Sequence, residues 1–209
     1  MIRAIFLDVD GTLISFSTHE IPASARRALT QAHERGVRLF IATGRAANDL
    51  GPLEGIPYDG VVSLNGARCV ANDGRVVSLH PIPRADFERA LALSEEQDFA
   101  MGLELEEGVF VNRVTPDVKR VAHMVAHPVP EQTDLRELFG RVECCQLCFY
   151  FDAETQRRVM AELPTLVASR WCPIFADVNV AGIDKATGME EFMRSYGFSA
   201  AEVAAFGDG

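Results

Sequence analysis

Short apolar runs that stop at polar loops alternate with helix-spaced segments along this chain. Residues 2–7 form such a run ending in Asp8-Val9-Asp10-Gly11, the pattern of a central strand buried on both faces. Residues 22–35 carry Ala25, Ala28, Leu29 and Ala32 at helical spacing, with Pro22 suited to a first turn and Gly36 to a stop. Residues 37–42 read as a second buried strand ended by Thr43-Gly44-Arg45, residues 46–50 as a short helix, and residues 60–64 as a third strand ended by Asn65-Gly66. Strand, helix, strand, helix, strand predicts an α/β fold around an open parallel, Rossmann-like sheet with right-handed crossovers.

The pattern changes near Pro81. Just before it, residues 67–71 and 75–79 flank Asn72-Asp73-Gly74, a strong hairpin signal. Beyond it the periodicity predicts helices over 85–97, 116–126 and 153–163, and strands over 99–105, 109–113, 144–151, 166–171 and 175–180. Phe149, Phe151 and Trp171 are expected in the interior of this part. The stretch HPVPEQTDL, residues 127–135, reads as a loop, because its two prolines cannot donate to a ladder. Residues 185–196 are again helical, stopped by Gly197, and residues 203–206 return as a short buried strand before Gly207-Asp208-Gly209. First and last segments are therefore expected to share a core (1–81 and 181–209), with an α+β domain (82–180) inserted between them.

Composition narrows the partners. At 48% hydrophobic and 24% charged over 209 residues, the chain has ample material for packing. Its 20 Lys and Arg against 30 Asp and Glu give a net charge of −10, opposite to the footprint that nucleic acid attracts. No apolar run approaches the roughly 18–20 residues of a membrane span, and the start MIRAIFLDVDG meets charge too early for a signal peptide. The expected setting is cytoplasmic, with no nucleic-acid or membrane partner. The five cysteines, an odd number in a chain that needs no staples, are expected as free thiols. Cys145 and Cys148 form a lone C-x-x-C without the second pair of a zinc site.

In an open parallel sheet, ligands bind beyond the carboxyl ends of the strands. The expected strands deliver Asp8, Asp10, Thr12, Thr43, Arg45, Asn65 and Asp208 there, and the late helix begins at Asp184-Lys185. Carboxylates gathered at one mouth repel one another, and a hard divalent cation with oxygen ligands, such as Mg²⁺, resolves the conflict.

Asp8-Val9-Asp10-Gly11-Thr12-Leu13, Thr43-Gly44-Arg45, Asn65-Gly66, Lys185 and Gly207-Asp208-Gly209, in this order, resemble the motifs of haloacid dehalogenase-like phosphatases. The arrangement is similar to the Cof-like branch, with an α+β cap between the second and third motifs, and within it to sugar-phosphate phosphatases. The resemblance implies a Mg²⁺-dependent phosphatase acting on small phosphorylated metabolites, sugar phosphates foremost. It implies that Asp8 attacks phosphorus and that Asp10 is acid, then base. Thr43 and Lys185 would hold the phosphoryl oxygens, and Asp8, the Asp10 main-chain carbonyl and Asp208 would hold the metal. Gly11, Thr12, Gly44, Arg45 and Asn65 would face the substrate. The family pattern continues past Gly207-Asp208-Gly209 with an Asn-Asp, a helix and a further strand, so the core is expected to be incomplete at its carboxyl end. Two other outcomes stay open: a phosphomutase, or a phosphate-binding or regulatory domain without turnover. Many relatives place Gly directly after the lysine, where this chain has Ala186-Thr187-Gly188; a slight shift of the helix start, with Lys185 kept in place, is expected.

Overall fold

A computed structural model describes residues 1–15, 17, 18 and 20–208. The chain divides into two compact units, Met1–Leu79 with Ile183–Gly209, and His80–Gly182.

In the first unit, β1 (Ala4–Leu7), α1 (Ala23–Glu34), β2 (Arg38–Ala42), β3 (Gly60–Ser63), β4 (Arg68–Ala71) and β5 (Val76–Leu79) precede the insertion. In the second unit follow α2 (Arg84–Glu96), β6 (Ala100–Leu105), β7 (Gly108–Val111), α3 (Pro116–Met124), β8 (Glu131–Gln132), α4 (Leu135–Phe139), β9 (Gln146–Tyr150), α5 (Ala153–Met160), β10 (Leu166–Cys172) and β11 (Phe175–Val180). The chain then returns to the first unit as α6 (Lys185–Tyr196) and β12 (Val203–Phe206).

The first sheet has the order β12-β1-β2-β3-β4-β5. Its β12, β1, β2 and β3 are mutually parallel, and the hairpin β4-β5 extends them antiparallel. Strand β2 illustrates why the run is apolar throughout: Leu39 and Ile41 enter one core, Phe40 and Ala42 the other, and none is more than 4% exposed. The second core is aromatic, with Phe40 stacked on Phe6 at 4.9 Å and 4.7 Å from Phe192 of α6.

The second unit's sheet has the order β10-β11-β9-β6-β7-β8, antiparallel except for the β7-β8 pair. One face, including Met101, Leu103, Leu147, Phe149 and Val178, packs with Phe87, Leu135 and Val159 of α2, α4 and α5. Val118 and Val121 of α3 cover part of the other.

Four expectations need correction. The strand expected to be buried at 203–206, β12, lies at the edge of the sheet, with Phe206 56% exposed. Residues 46–50 are not helical; the chain runs irregularly to a 3-10 turn at Gly51–Leu53. A five-residue segment running into Gly51-Pro52 is too short to repay helix nucleation. The stretch 127–135 is not wholly a loop. Its prolines fall before the paired residues, so Glu131–Gln132 can pair with β7, and Asp134 caps α4 by accepting from the Arg136 and Glu137 amides. Trp171 is 48% exposed, leaning on Phe175 at 5.2 Å, whereas Phe149 and Phe151 are buried. All five cysteines are free and buried.

Candidate active site

Asp8 is the first residue beyond β1, and its amide donates to the Phe206 carbonyl of the neighbouring parallel strand at 2.9 Å. The chain then turns back on itself. Ile14 donates to the Val9 carbonyl at 2.8 Å, Leu13 to the Asp8 carbonyl at 3.3 Å, and Gly11, at φ 81°, to the Ile14 carbonyl at 2.9 Å. A positive φ suits glycine, which has no Cβ to clash. Asp8 and Asp10 therefore do not continue the strand. Asp8 pairs with Lys185 and Asp10 with Arg45.

The loops after β2 and β3 are stitched together. Thr43, 1% exposed, donates its amide to the Val62 carbonyl at 2.8 Å and accepts at its hydroxyl from the Arg45 amide at 3.1 Å. The Asn65 amide donates to the Thr43 carbonyl and the Leu64 amide to the Arg45 carbonyl, each at 3.1 Å. Leu64 and Asn65 hold φ of 50° and 56°, a conformation asparagine tolerates and leucine rarely adopts. A Cβ at Gly44 would stand 3.0 Å from Asn65 Oδ1.

Helix α6 brings the ammonium. Asp184 caps it by accepting from the Thr187 amide at 2.8 Å, which makes Lys185 its first residue. Two glycines permit the approach. A Cβ at Gly66 (φ +96°) would lie 1.9 Å from the Asp184 carbonyl oxygen, and one at Gly188 would lie 2.4 Å from Val62 Cγ1. Lys185 Nζ then stands 2.7 Å from Asp8 Oδ1, with the Asp8 side chain only 13% exposed. The chain with Ala186 after the lysine thus keeps Lys185 at the helix start, and Gly188 supplies the close contact one turn later.

Arg45 grips Asp10 with both arms of a fork, Nε to Oδ2 at 2.9 Å and Nη2 to Oδ1 at 2.8 Å, and the hydrogen bond to Asp10 raises the pKa of its guanidinium. The buried Thr12 hydroxyl has no hydrogen-bond partner among the described residues. Asp208 is exposed, two residues past the β12 end that pairs with Leu7.

The sequence matches the haloacid dehalogenase-like hydrolases over residues 5–209. The chain belongs to that family. Over its whole length it is 53% identical, with a TM-score of 0.95, to BT1666 from Bacteroides thetaiotaomicron, described among phosphatases of the haloalkanoate superfamily, and it covers 78% of that chain. It is 32% identical, with a TM-score of 0.87, to BT4131, described as a subclass IIB sugar phosphatase, over 99% of this chain and 81% of that one. It is also 26% identical over 213 residues to YkrA of Bacillus subtilis (strain 168), named as a phosphatase, covering 99% of this chain and 79% of the relative.

In this haloacid dehalogenase-like hydrolase, Asp8 is thus paired with Lys185, and Thr43 is bonded to Arg45 and Asn65, beyond the carboxyl ends of β1 to β3. The carboxylates of Asp8, Asp10 and Asp208 do not form a three-ligand group. Among the described residues only Glu104, Cys148 and Asp177, in the second unit, bring ligand atoms within 4.8 Å of one another. That second group is tied up internally: buried Gln146 donates to Glu104 at 2.7 Å and to Asp177 at 3.1 Å.

Asp49 escaped the sequence reading. It accepts from Arg45 Nη1 at 3.2 Å on its carboxylate and at 3.4 Å on its carbonyl. The available signal was the four-residue spacing from Arg45, which carries little weight alone.

Proposed function

We propose that this hydrolase cleaves small phosphate monoesters, sugar phosphates foremost, through a phosphorylated Asp8. The observation that carries the reading is Asp8 at the mouth of a parallel sheet with Lys185 Nζ 2.7 Å away. The carboxylate oxygen is the nucleophile, and the ammonium beside it neutralises phosphoryl charge as it develops. Phosphoryl transfer needs positioning and charge neutralisation above all. The similarity to a sugar phosphatase supports the substrate class.

An Asp8 oxygen attacks phosphorus, the bond to the ester oxygen breaks, and that oxygen leaves with the proton of Asp10. Water then attacks the acyl phosphate, gives its proton to Asp10, and phosphate departs from a restored Asp8. Thr43 offers its hydroxyl to a phosphoryl oxygen, and the amides of the Gly11-Thr12 turn face the phosphate. The orphaned Thr12 hydroxyl, Gly44, Arg45 and Asn65 are the further substrate-facing positions. The donors available to a cation are oxygens, which suits Mg²⁺. Asp8, the Asp10 carbonyl and Asp208 would hold it, and when bound it would offset phosphate charge. The unit His80–Gly182 has the position in the chain of a cap that selects the leaving group.

Turnover of p-nitrophenyl phosphate with Mg²⁺, and its loss on chelation, tests the reading. Asp8→Asn is expected to lose on the order of 10³-fold or more in kcat. Asp10→Asn is expected to lose turnover of alkyl phosphates while still binding them. Wild-type rates in Asp8→Asn would sink the mechanism.

A further inference from the structure

Arg45 is held by two carboxylates of its own chain. Its Nε and Nη2 hold both oxygens of Asp10 at 2.9 and 2.8 Å, and its Nη1 is directed to the carboxylate and carbonyl of Asp49 at 3.2 and 3.4 Å. The guanidinium is planar, so two contacts on one edge and one on the next fix its plane, and that plane fixes the carboxyl group opposite. Asp10 needs such help. Its side chain is 44% exposed and lies beyond the end of β1. The Arg45 side chain is 27% exposed and that of Asp49 32%. The anchor of the chain is main-chain: the Arg45 amide on the Thr43 hydroxyl and the Arg45 carbonyl on Leu64.

We propose that Arg45 and Asp49 are positioning residues for Asp10, Asp49 fixing the guanidinium and the guanidinium fixing the carboxyl group that delivers the proton to the leaving oxygen. The inference rests on the phosphatase reading and deepens it. It gives Arg45 a second part beside its substrate-facing position, a two-point hold on Asp10. It brings Asp49 into the site through Arg45. The logic is that of a catalytic acid or base oriented by a third group. During transfer one Asp10 oxygen turns to the ester oxygen while the other stays on Arg45. A misplacement of about 1 Å in such an acid costs about 10²-fold in rate.

Proton delivery matters most when the leaving group is poor. The experiment therefore compares an alkyl phosphate, glycerol 3-phosphate, whose alkoxide must be protonated, with p-nitrophenyl phosphate, whose phenolate departs with little help. Wild type, Asp49→Ala, Asp49→Asn and Arg45→Lys are assayed with Mg²⁺, after thermal melting identifies the variants that stay folded. Asn keeps the shape of Asp49, so one folded variant is retained if Ala unfolds. Expected is a fall of about 10- to 100-fold in the ratio of alkyl to aryl kcat for Asp49→Ala and Arg45→Lys, with KM within about twofold. Asp49→Asn should fall between them and wild type, and lysine should not rescue, since it lacks the fork. Equal losses on both esters would make the contact merely structural. A raised KM with kcat retained would make Arg45 a phosphate grip. Either overturns the proposal. If the wild type hydrolyses neither ester, or Asp8→Asn hydrolyses both, it is the phosphatase reading that fails.

Discussion

Lys185 stands where a helix least favours a cation, at the first position of α6, where the dipole disfavours positive charge by about 0.3–1 kcal/mol. Its partner Asp8 offsets that cost, but a pair whose lysine is 39% exposed contributes on the order of 0–1 kcal/mol to stability. The same charge beside a developing phosphoryl oxyanion is worth far more, about 10²- to 10³-fold in rate for one lost donor. Lys185→Met is therefore expected to keep its urea midpoint near that of the wild type and to lose about 10²-fold in kcat. Steady-state kinetics beside equilibrium unfolding measures both, and a variant that loses stability instead of rate would reduce Lys185 to a structural role. The residues that gather here were legible because each ends an apolar run at the same side of the sheet. Asp49 was not, because its position depends on an irregular path after Arg45 that local propensity did not foresee. Nor could spacing tell that the chain turns back directly after Asp8, since that turn is closed by Gly11 and Ile14.

At the scale of elements, the question is what holds α6 close enough for Lys185 to reach Asp8. Gly188 is the pivot: a Cβ there would lie 2.4 Å from Val62 Cγ1 and 2.9 Å from Cys69 Sγ. Alanine in a helix interior gains about 0.8–1 kcal/mol over glycine, whereas overpacking a dense core costs about 1–3 kcal/mol, and here the clash meets a strand side chain of the core. The clash should win. Gly188→Ala is expected to lower stability by about 1–2 kcal/mol and to lower kcat by shifting Lys185, read by urea titration and by turnover. A stabilised variant would mean that β3 yields more readily than its burial suggests. The bounds of helix α6 and strand β12 were legible residue for residue, because both have sharp local stops in Gly197 and Gly207, but the exposure of β12 at the sheet edge was not. Residues 46–50 and the short β8 were not. In the first, five residues are too few for periodicity to outweigh the Gly51-Pro52 break. In the second, a two-residue strand is defined by its partner β7, and no local pattern marks it.

For the whole molecule, the thiols report how each unit is closed. Cys69 lies in the core of the first unit, and Cys144, Cys145, Cys148 and Cys172 lie buried in the second. Burial pushes Cys69 up to about 11 and Cys144 up to about 12, and raises Cys148 as well. Only the thiolate reacts with an aromatic disulfide or an alkylating agent, and an unfolded thiol ionises near ~8.5, so Cys69, Cys144 and Cys148 should be silent in the native protein and reactive in the unfolded chain. Labelling at increasing urea, read by mass spectrometry, should modify the four cysteines of the second unit as one group, since a small compact unit is expected to open cooperatively. Linkage gives the pH dependence. A thiol raised by folding favours the native state fully below about 8.5, and that contribution declines as the pH climbs toward about 11 for Cys69 and about 12 for Cys144. The urea midpoint is therefore expected to fall above about pH 8.5, and Cys69→Ala to flatten the fall in the first unit. Rapid labelling of Cys69, Cys144 or Cys148 in the absence of urea would mean that a unit opens far more readily than its buried sulfurs imply.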